Sequence, residues 1–329
     1  MTKIVTTAST TPSTPARIAL LDVARGLALV AMAIYHFSWD LEYFGWMAQG
    51  TAVQGGWLVF ARSIATSFLF LVGVSLVLAH GSGGSGGGGG IRWRSFWIRF
   101  LQVAGAAALI SAATWFIPGG FIFFGILHAI ALCSLIGLIF VALPWTASII
   151  CAVLVYGVWL GFSADIFANP ALWWVGLATI PPRANDYVPL FPWLAPVLIG
   201  IAFAQILQRL NLWQRLARIN LPRVAQRPLT FLGRHSLIFY LVHQPILIGL
   251  VYLFTTFIAQ PDYSANFENQ CQKTCSNTRG EQFCKAYCSC MIEEMSREEL
   301  LTPFMSRSMS EDQNNLLLDM RDMCVATHE

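Results

Sequence analysis

The chain has 329 residues, 56% of them hydrophobic and only 11% charged, with a formal net charge of +3. That balance lies outside the water-soluble globular range and marks an integral membrane protein whose partner is the lipid bilayer. No nucleic-acid partner is expected.

The first 16 residues, within MTKIVTTASTTPSTPAR, are polar and Thr-rich, without the short apolar run and small-residue cleavage site of a signal peptide. They read as a disordered cytoplasmic tail. Windows of about 20 apolar residues place candidate membrane spans near 18–39, 56–79, 96–117, 121–143, 146–162, 190–208 and 232–259, the fifth being the shortest. The expected fold is an all-α polytopic membrane bundle of about seven spans over residues 17–259, followed by a Cys-rich helical module over 260–329.

The first span carries ionisable groups where ionisation is costly, in LDVARGLALVAMAIYHF. Arg25 and His36 are 11 residues apart, about 16 Å along a helix and within about 20° of one azimuth. They therefore share a face at two depths. Asp22, three residues before Arg25, is its local partner. A charge at the bilayer centre costs at least about 2.5–3.5 kcal/mol and is usually turned toward a cavity or a partner. The alternative is a structural Asp22–Arg25 ion pair near the inner interface with His36 as a packing residue.

Span two holds Arg62 near its outer end, against the charge bias. It is read as an acceptor contact, a partner for Asp40 or Glu42, or a snorkelling side chain. The run GSGGSGGGGG at 81–90 is a flexible insertion by composition, and it lacks the Lys-Ser/Thr of a phosphate loop. Span four brings His128 to a depth similar to that of His36. Between spans five and six, residues 163–189 are too broken by Pro and Gly to cross, and Trp173 and Trp174 suit the interface. Span seven opens with Arg234 and His235 and carries His243 two residues before Pro245.

Orientation follows from the loops. The connection at 80–99 carries Arg92, Arg94 and Arg99 without an acid, and 209–234 carries six Arg without one. The positive-inside rule makes both cytoplasmic, with the N-terminus inside and the C-terminus outside. Six of the eight cysteines, Cys271, Cys275, Cys284, Cys288, Cys290 and Cys324, fall in the tail. Two C-x3-C pairs joined by eight residues suit a disulfide-stapled helical hairpin in an oxidising compartment, in agreement with that topology. Zinc is the competing reading, disfavoured because no His lies near the cluster; connectivity is open, and no metal site is expected. Cys133 and Cys151, within spans, read as small apolar side chains.

Three imidazoles, His36, His128 and His243, converge only if the bundle folds around a polar cavity. Neutral imidazole is suited to removing a proton near neutral pH, and the guanidinium of Arg25 is a fixed cation matched to phosphate. No Rossmann fingerprint or H-E-x-x-H motif is present.

The segments RIALLDVARGLALVAMAIYHFSWDL, FLFLVGVSLVLAHG, FIFFGILHAIAL and FLGRHSLIFYLVHQPIL resemble the bacterial members of the heparan-alpha-glucosaminide N-acetyltransferase catalytic-domain family. Arg25 and His36 are also similar to the first-helix signature of the type-three membrane acyltransferases, which O-acylate envelope glycans. The resemblance covers roughly residues 17–259. It implies an enzyme of the bacterial inner membrane that takes acetyl from cytoplasmic acetyl-CoA and delivers it to an amine or hydroxyl of an extracytoplasmic glycan. His36 would be the base. His128 would position the acceptor or relay a proton, or else make a bundle hydrogen bond. Arg25, with Arg234 and His235, would meet the donor, although a positive-inside anchor explains Arg234 equally well. Arg62, Asp40 and His243 would face the acceptor, with a structural role open for His243 beside Pro245. A proton-coupled transporter or flippase is the alternative, since it too would need buried His and Arg. A membrane anchor for the Cys-rich tail would leave those groups unexplained.

Overall fold

A computed structural model describes residues 19–81, 92–116, 120–182, 184, 186–219, 221–305 and 309–328. The tail 1–16 and the insertion 81–90, apart from Gly81, lie outside these residues. The described chain is helical, without a strand.

The apolar helices are α1 (Ala19–Tyr43), α2 (Gly55–Gly81), α3 (Trp93–Thr114), α4 (Ile126–Val141), α5 (Trp145–Gly161), α6 (Leu190–Arg209) and, after the short α7 (Trp213–Ala217) and α8 (Arg223–Arg234), α9 (Ser236–Phe257). Five of these, α1, α2, α3, α6 and α9, are long and apolar enough to cross a membrane. With 16 and 17 residues, α4 and α5 are shorter; each rises about 24–26 Å. The described residues of the segment 163–189 form two 3-10 turns and irregular chain, as the Pro and Gly content predicts.

Several boundaries differ from the hydropathy reading; span four, expected from 121, begins as a helix only at Ile126. Helix α1 continues to Tyr43, and Trp39 stacks on Tyr43 one turn later at 6.0 Å, which stabilises the added turn. The last span does not start at 232. Helix α8 ends at Arg234, and His235, at φ −104° and ψ 27°, breaks the helix with its N–H turned back to Phe231 and Leu232. Arg234 and His235 therefore belong to the end of α8 and to the break, and α9 begins at Ser236.

The chain forms two compact units. The first comprises residues up to Leu29 and Ser63–Phe239. At its centre, α6 buries Val197, Leu198, Ile201, Ala202 and Ala204 completely. Small residues allow this packing: a Cβ on Gly73 of α2 would strike the carbonyl of Val197, and one on Gly200 of α6 would strike that of Phe70. Reciprocal glycines let two backbones touch, which is how apolar helices associate where lipid removes the hydrophobic driving force. On α3 and α5 the large side chains Trp97, Leu101, Leu109, Ile150, Val153 and Leu160 are exposed, as expected of faces that meet lipid.

The second unit comprises Val30–Arg62 and Tyr240–Glu329. It contains α10 (Tyr263–Cys275), α11 (Glu281–Arg297), α12 (Leu301–Met305) and α13 (Glu311–His328). Cys271 pairs with Cys288 and Cys275 with Cys284, forming two rungs between α10 and α11, and Cys290 ties α11 to α13 through Cys324. The i, i+4 spacing puts each pair of cysteines on one helix face, so an antiparallel partner with the same spacing makes nested rungs. The stapled hairpin expected from the spacing is present. Beneath it, Met291, Met295, Leu300, Leu301, Met305 and Met320 form a core. Within this unit the loop after α1 is held from two directions: Trp46 donates to Thr255 of α9 at 2.9 Å, and Asn266 of α10 donates to the carbonyl of Gly45. Cys133 and Cys151 are free thiols.

Candidate functional site

In the first unit, the carboxylate of Asp22 is 2% exposed and lies between two guanidiniums. Arg25 Nη1 donates to its Oδ1 at 3.1 Å, and Arg234 Nε stands 3.5 Å from its Oδ2. The first contact is the i, i+3 pairing read from the sequence. The second depends on glycine. A Cβ on Gly26 would overlap the carbonyl of Leu229, and one on Gly233 would overlap that of Asp22. With hydrogens at both positions, α8 lies backbone to backbone on the start of α1, and Arg234 follows directly after Gly233. Arg25 also donates through Nη2 to Ser75 Oγ on α2, and that hydroxyl donates to the carbonyl of Leu71.

Two guanidiniums share one carboxylate, so the cluster carries a net positive charge. The side chain of Arg234 is 50% exposed and that of Arg25 17%. A charged cluster with one open cation fits an anionic group such as a phosphate. His235 is exposed beside it, its Nδ1 2.9 Å from the carbonyl of Phe231 and its ring packed on the Phe231 ring.

His128 is also in the first unit, and both of its ring nitrogens are engaged. Nδ1 accepts from the backbone N–H of Gly125 at 3.2 Å, and Nε2 lies 3.3 Å from Ser111 Oγ, which itself donates to the carbonyl of Ile122. The N–H donor on Nδ1 puts the ring proton on Nε2. Asp186 accepts from the N–H of Ile126 at 2.9 Å, so side chains satisfy two of the free donors at the start of α4. This is the bundle hydrogen bond named as an alternative for His128.

In the second unit, α1 and α9 place His36 and His243 with ring centroids 5.0 Å apart, edge to face. His243 Nδ1 is 2.7 Å from the carbonyl of Tyr240. A carbonyl can only accept, so the proton of neutral His243 sits on Nδ1 and the lone pair on Nε2. One turn beyond His36, Asp40 has no exposed surface, and Gln244 Nε2 donates to its Oδ1 at 2.7 Å. Asp40 Oδ2 and Gln244 Oε1 are buried without a hydrogen-bond partner among the described residues. Two imidazoles and a buried carboxylate over two helical turns form a group that can take and hold a proton.

Arg62 is not brought to the acids offered as partners: it is exposed, Asp40 is engaged by Gln244, and Glu42 accepts from the N–H groups of Gly50 and Ala52, both at 2.7 Å. Backbone donors in the tight loop reach Glu42 with less side-chain ordering than a long Arg would need. Ser75 and Gln244 were absent from the sequence-level site. Their signal was available, since an uncharged polar side chain inside an apolar helix usually bonds across to another helix. Among the described residues no group of three His, Cys, Asp or Glu is arranged to hold a metal ion.

The family described as heparan-alpha-glucosaminide N-acetyltransferase, catalytic, matches residues 17–245. That span includes every residue of both clusters. No curated protein and no solved structure matches the chain.

Proposed function

Because the chain belongs to the heparan-alpha-glucosaminide N-acetyltransferase catalytic family, a family of membrane acetyltransferases, we propose that it moves acetyl from cytoplasmic acetyl-CoA to an amine or hydroxyl of an extracytoplasmic glycan. The N-terminus and the Arg-rich segment 209–234 then face the cytoplasm, the Cys-rich module 260–329 faces outward, and the membrane is the inner membrane of a bacterium. The observation that carries the reading is the pairing of His36 with His243 beside the buried Asp40–Gln244 couple.

Arg25 and Arg234, held by Asp22, are the residues that would meet the phosphates of the donor, with His235 at the rim. The thioester supplies an activated acyl carbon: as the acceptor's bond to it forms, the C–S bond breaks and CoA leaves as a thiolate, which takes up the proton passed from the acceptor. His36 removes the proton of the acceptor amine or hydroxyl as that atom attacks. His243, its tautomer fixed by the Tyr240 carbonyl, presents Nε2 as the adjoining acceptor for the same proton. Asp40 stabilises the imidazolium that forms at His36, and Gln244 holds Asp40 in place. In this reading His128 organises the start of α4, and Arg62 remains an outer-face cation for the acceptor.

The test is acetyl-CoA binding and turnover by the full chain in lipid nanodiscs, with amino sugars as acceptors. Arg25→Ala should weaken donor binding, and His36→Ala should bind donor without turning over. If intact wild type binds no acetyl-CoA but moves protons together with a solute, the transporter reading replaces this one.

A further inference from the structure

Helix α8 carries cations that the Asp22 cluster does not use. Arg223 and Arg227 are exposed and form no ion pair among the described residues, and the segment 209–234 holds six Arg without an acid. At about 100° per residue, Arg223, Arg227 and Arg234 fall within about 40° of one azimuth and form a single basic strip. Val224 and Phe231, seven residues apart, share a second azimuth about 90° from Arg223. They are 90% and 62% exposed.

The side of α8 that meets protein is the opposite one. Leu229 and Gly233, whose backbones are in contact with Gly26 and Asp22 of α1, lie about 170° from Val224 and Phe231. Both contacts fall between Ala19, where α1 begins, and Gly26. Because α1 is long and apolar enough to cross a membrane, α8 sits at the end of a span, with one side on α1 and an apolar edge left bare. A basic strip beside such an edge, on a helix of low overall hydrophobicity, is the pattern of a helix that meets the headgroup region of a bilayer. The approach to α8 repeats it, with Arg215 and Arg218 exposed alongside Leu210 and Ile219.

We infer that α8 is a docking site for an anionic phospholipid, whose phosphate is held by Arg223 and Arg227 and whose acyl chains run along Val224 and Phe231. The two arginines are one turn apart, so both guanidinium forks can reach one phosphate. Arg234, about 10 Å further along the strip, is engaged by Asp22 at 3.5 Å and stays with that cluster. A soluble phosphate would account for the arginines and leave the apolar edge beside them without a purpose; a lipid answers to both. The site rests on the geometry of α8 and is independent of the acyl-transfer reading. In the orientation proposed above, it faces the cytoplasmic leaflet.

The experiment uses the full chain in phosphatidylcholine nanodiscs without acetyl-CoA. Phosphatidylglycerol with a photoreactive headgroup is the probe, and peptide mass spectrometry locates the label. Label should fall within 221–235, and unlabelled phosphatidylglycerol should compete it away while inorganic phosphate at matched ionic strength should not. A phosphatidylcholine probe with the same photoreactive group should label this segment about fivefold less or weaker still. Arg223→Gln and Arg227→Gln should each lower labelling about fivefold, and the double variant Val224→Ser with Phe231→Ser should lower it with the charge unchanged. All four positions are exposed, so unfolding midpoints in nanodiscs should stay near the wild-type value, which separates loss of the site from loss of the fold. The inference is overturned if α8 takes no label, if the phosphatidylcholine probe labels it equally, or if Arg223→Gln and Arg227→Gln label like wild type. Displacement by inorganic phosphate, or wild-type labelling of the double serine variant, would make it a site for a soluble anion and overturn the lipid assignment. Acetyl-CoA binding, which Arg25→Ala tests, is read separately, so either reading can fail without the other.

Discussion

Gln244 on α9 donates a 2.7 Å hydrogen bond to Asp40 on α1, a carboxylate with no exposed surface. A hydrogen bond to a charged group contributes about 1.5–3 kcal/mol, and losing a buried one leaves its partner desolvated and unmet. Gln244→Ala is therefore expected to destabilise the protein by about 1.5–3 kcal/mol, read as a lower midpoint of thermal unfolding in nanodiscs. Asp40→Asn keeps the Oδ1 acceptor and should cost less than about 1 kcal/mol while reducing turnover, because it removes the charge. A Gln244→Ala protein that unfolds like wild type would show that the bond contributes nothing.

The three intramembrane histidines should separate by phenotype. His128 has both ring nitrogens bonded within the start of α4, so His128→Ala should cost about 1–2 kcal/mol of stability with turnover per folded molecule within about twofold of wild type. His36→Ala and His243→Ala remove members of the paired imidazoles, and each should lower kcat about 100-fold or more with little change in unfolding midpoint. Turnover normalised to folded protein distinguishes the two classes; equal losses for all three would place His128 in the chemistry.

Gly233→Ala is the sharpest test of the Arg234–Asp22 contact. The added Cβ would overlap the backbone of Asp22, a main-chain atom that cannot rotate away. Overpacking typically costs about 1–3 kcal/mol. The displacement would also draw Arg234 from Asp22, so donor binding measured by equilibrium dialysis should weaken along with stability. Arg234→Gln would weaken donor binding with a smaller change in stability, because Arg234 is half-exposed.

The sequence shows the fold class, the chain positions of the apolar helices, the Asp22–Arg25 pair and the stapled hairpin, because each follows from local spacing or composition. The pairing of His36 with His243 lies beyond local spacing: hydropathy places both in spans but does not say which faces meet. The break at His235 was partly visible, since Gly233 sits where a helix ends, yet the apolar run LIFYLV directly after it made one span look continuous. Gln244 and Ser75 were hidden among conspicuous charges, although each is the cross-helix partner that holds a charged group in place. The Cys290–Cys324 bridge could not be told from the other pairings by spacing, because it closes through the packing of α13 on α11.

Arg25→Lys should behave nearly as badly as Arg25→Ala. The guanidinium reaches Asp22 with one nitrogen and Ser75 on α2 with another, and a single ammonium cannot reproduce that fork. Donor affinity is expected to fall about tenfold or more for both variants, with the effect in KM when measured against acetyl-CoA. Lysine restoring wild-type affinity would show that charge alone matters and that the bridge to Ser75 is incidental.

The disulfides should contribute unequally to the stability of the module. Peptide mapping under non-reducing conditions should recover the linked pairs Cys271–Cys288, Cys275–Cys284 and Cys290–Cys324. If a bridge acts mainly by restricting the unfolded chain, its effect grows with the loop it closes. The sequence separations are 34 for Cys290–Cys324 and 9 for Cys275–Cys284, which correspond to about 3.8 and about 2.6 kcal/mol. The first also secures α13, whose Met320 and Cys324 lie in the module core. Replacing Cys290 and Cys324 with serine should therefore lower the denaturant midpoint of the module more than replacing Cys275 and Cys284, which leaves the Cys271–Cys288 rung to hold the hairpin. Tryptophan fluorescence is a poor reporter, since residues 260–329 contain no Trp; protease resistance of the tail in nanodiscs follows the module directly. If losing the short rung proves the more damaging, the hairpin between α10 and α11 is the element on which the rest of the module depends, and α13 packs onto it only afterwards.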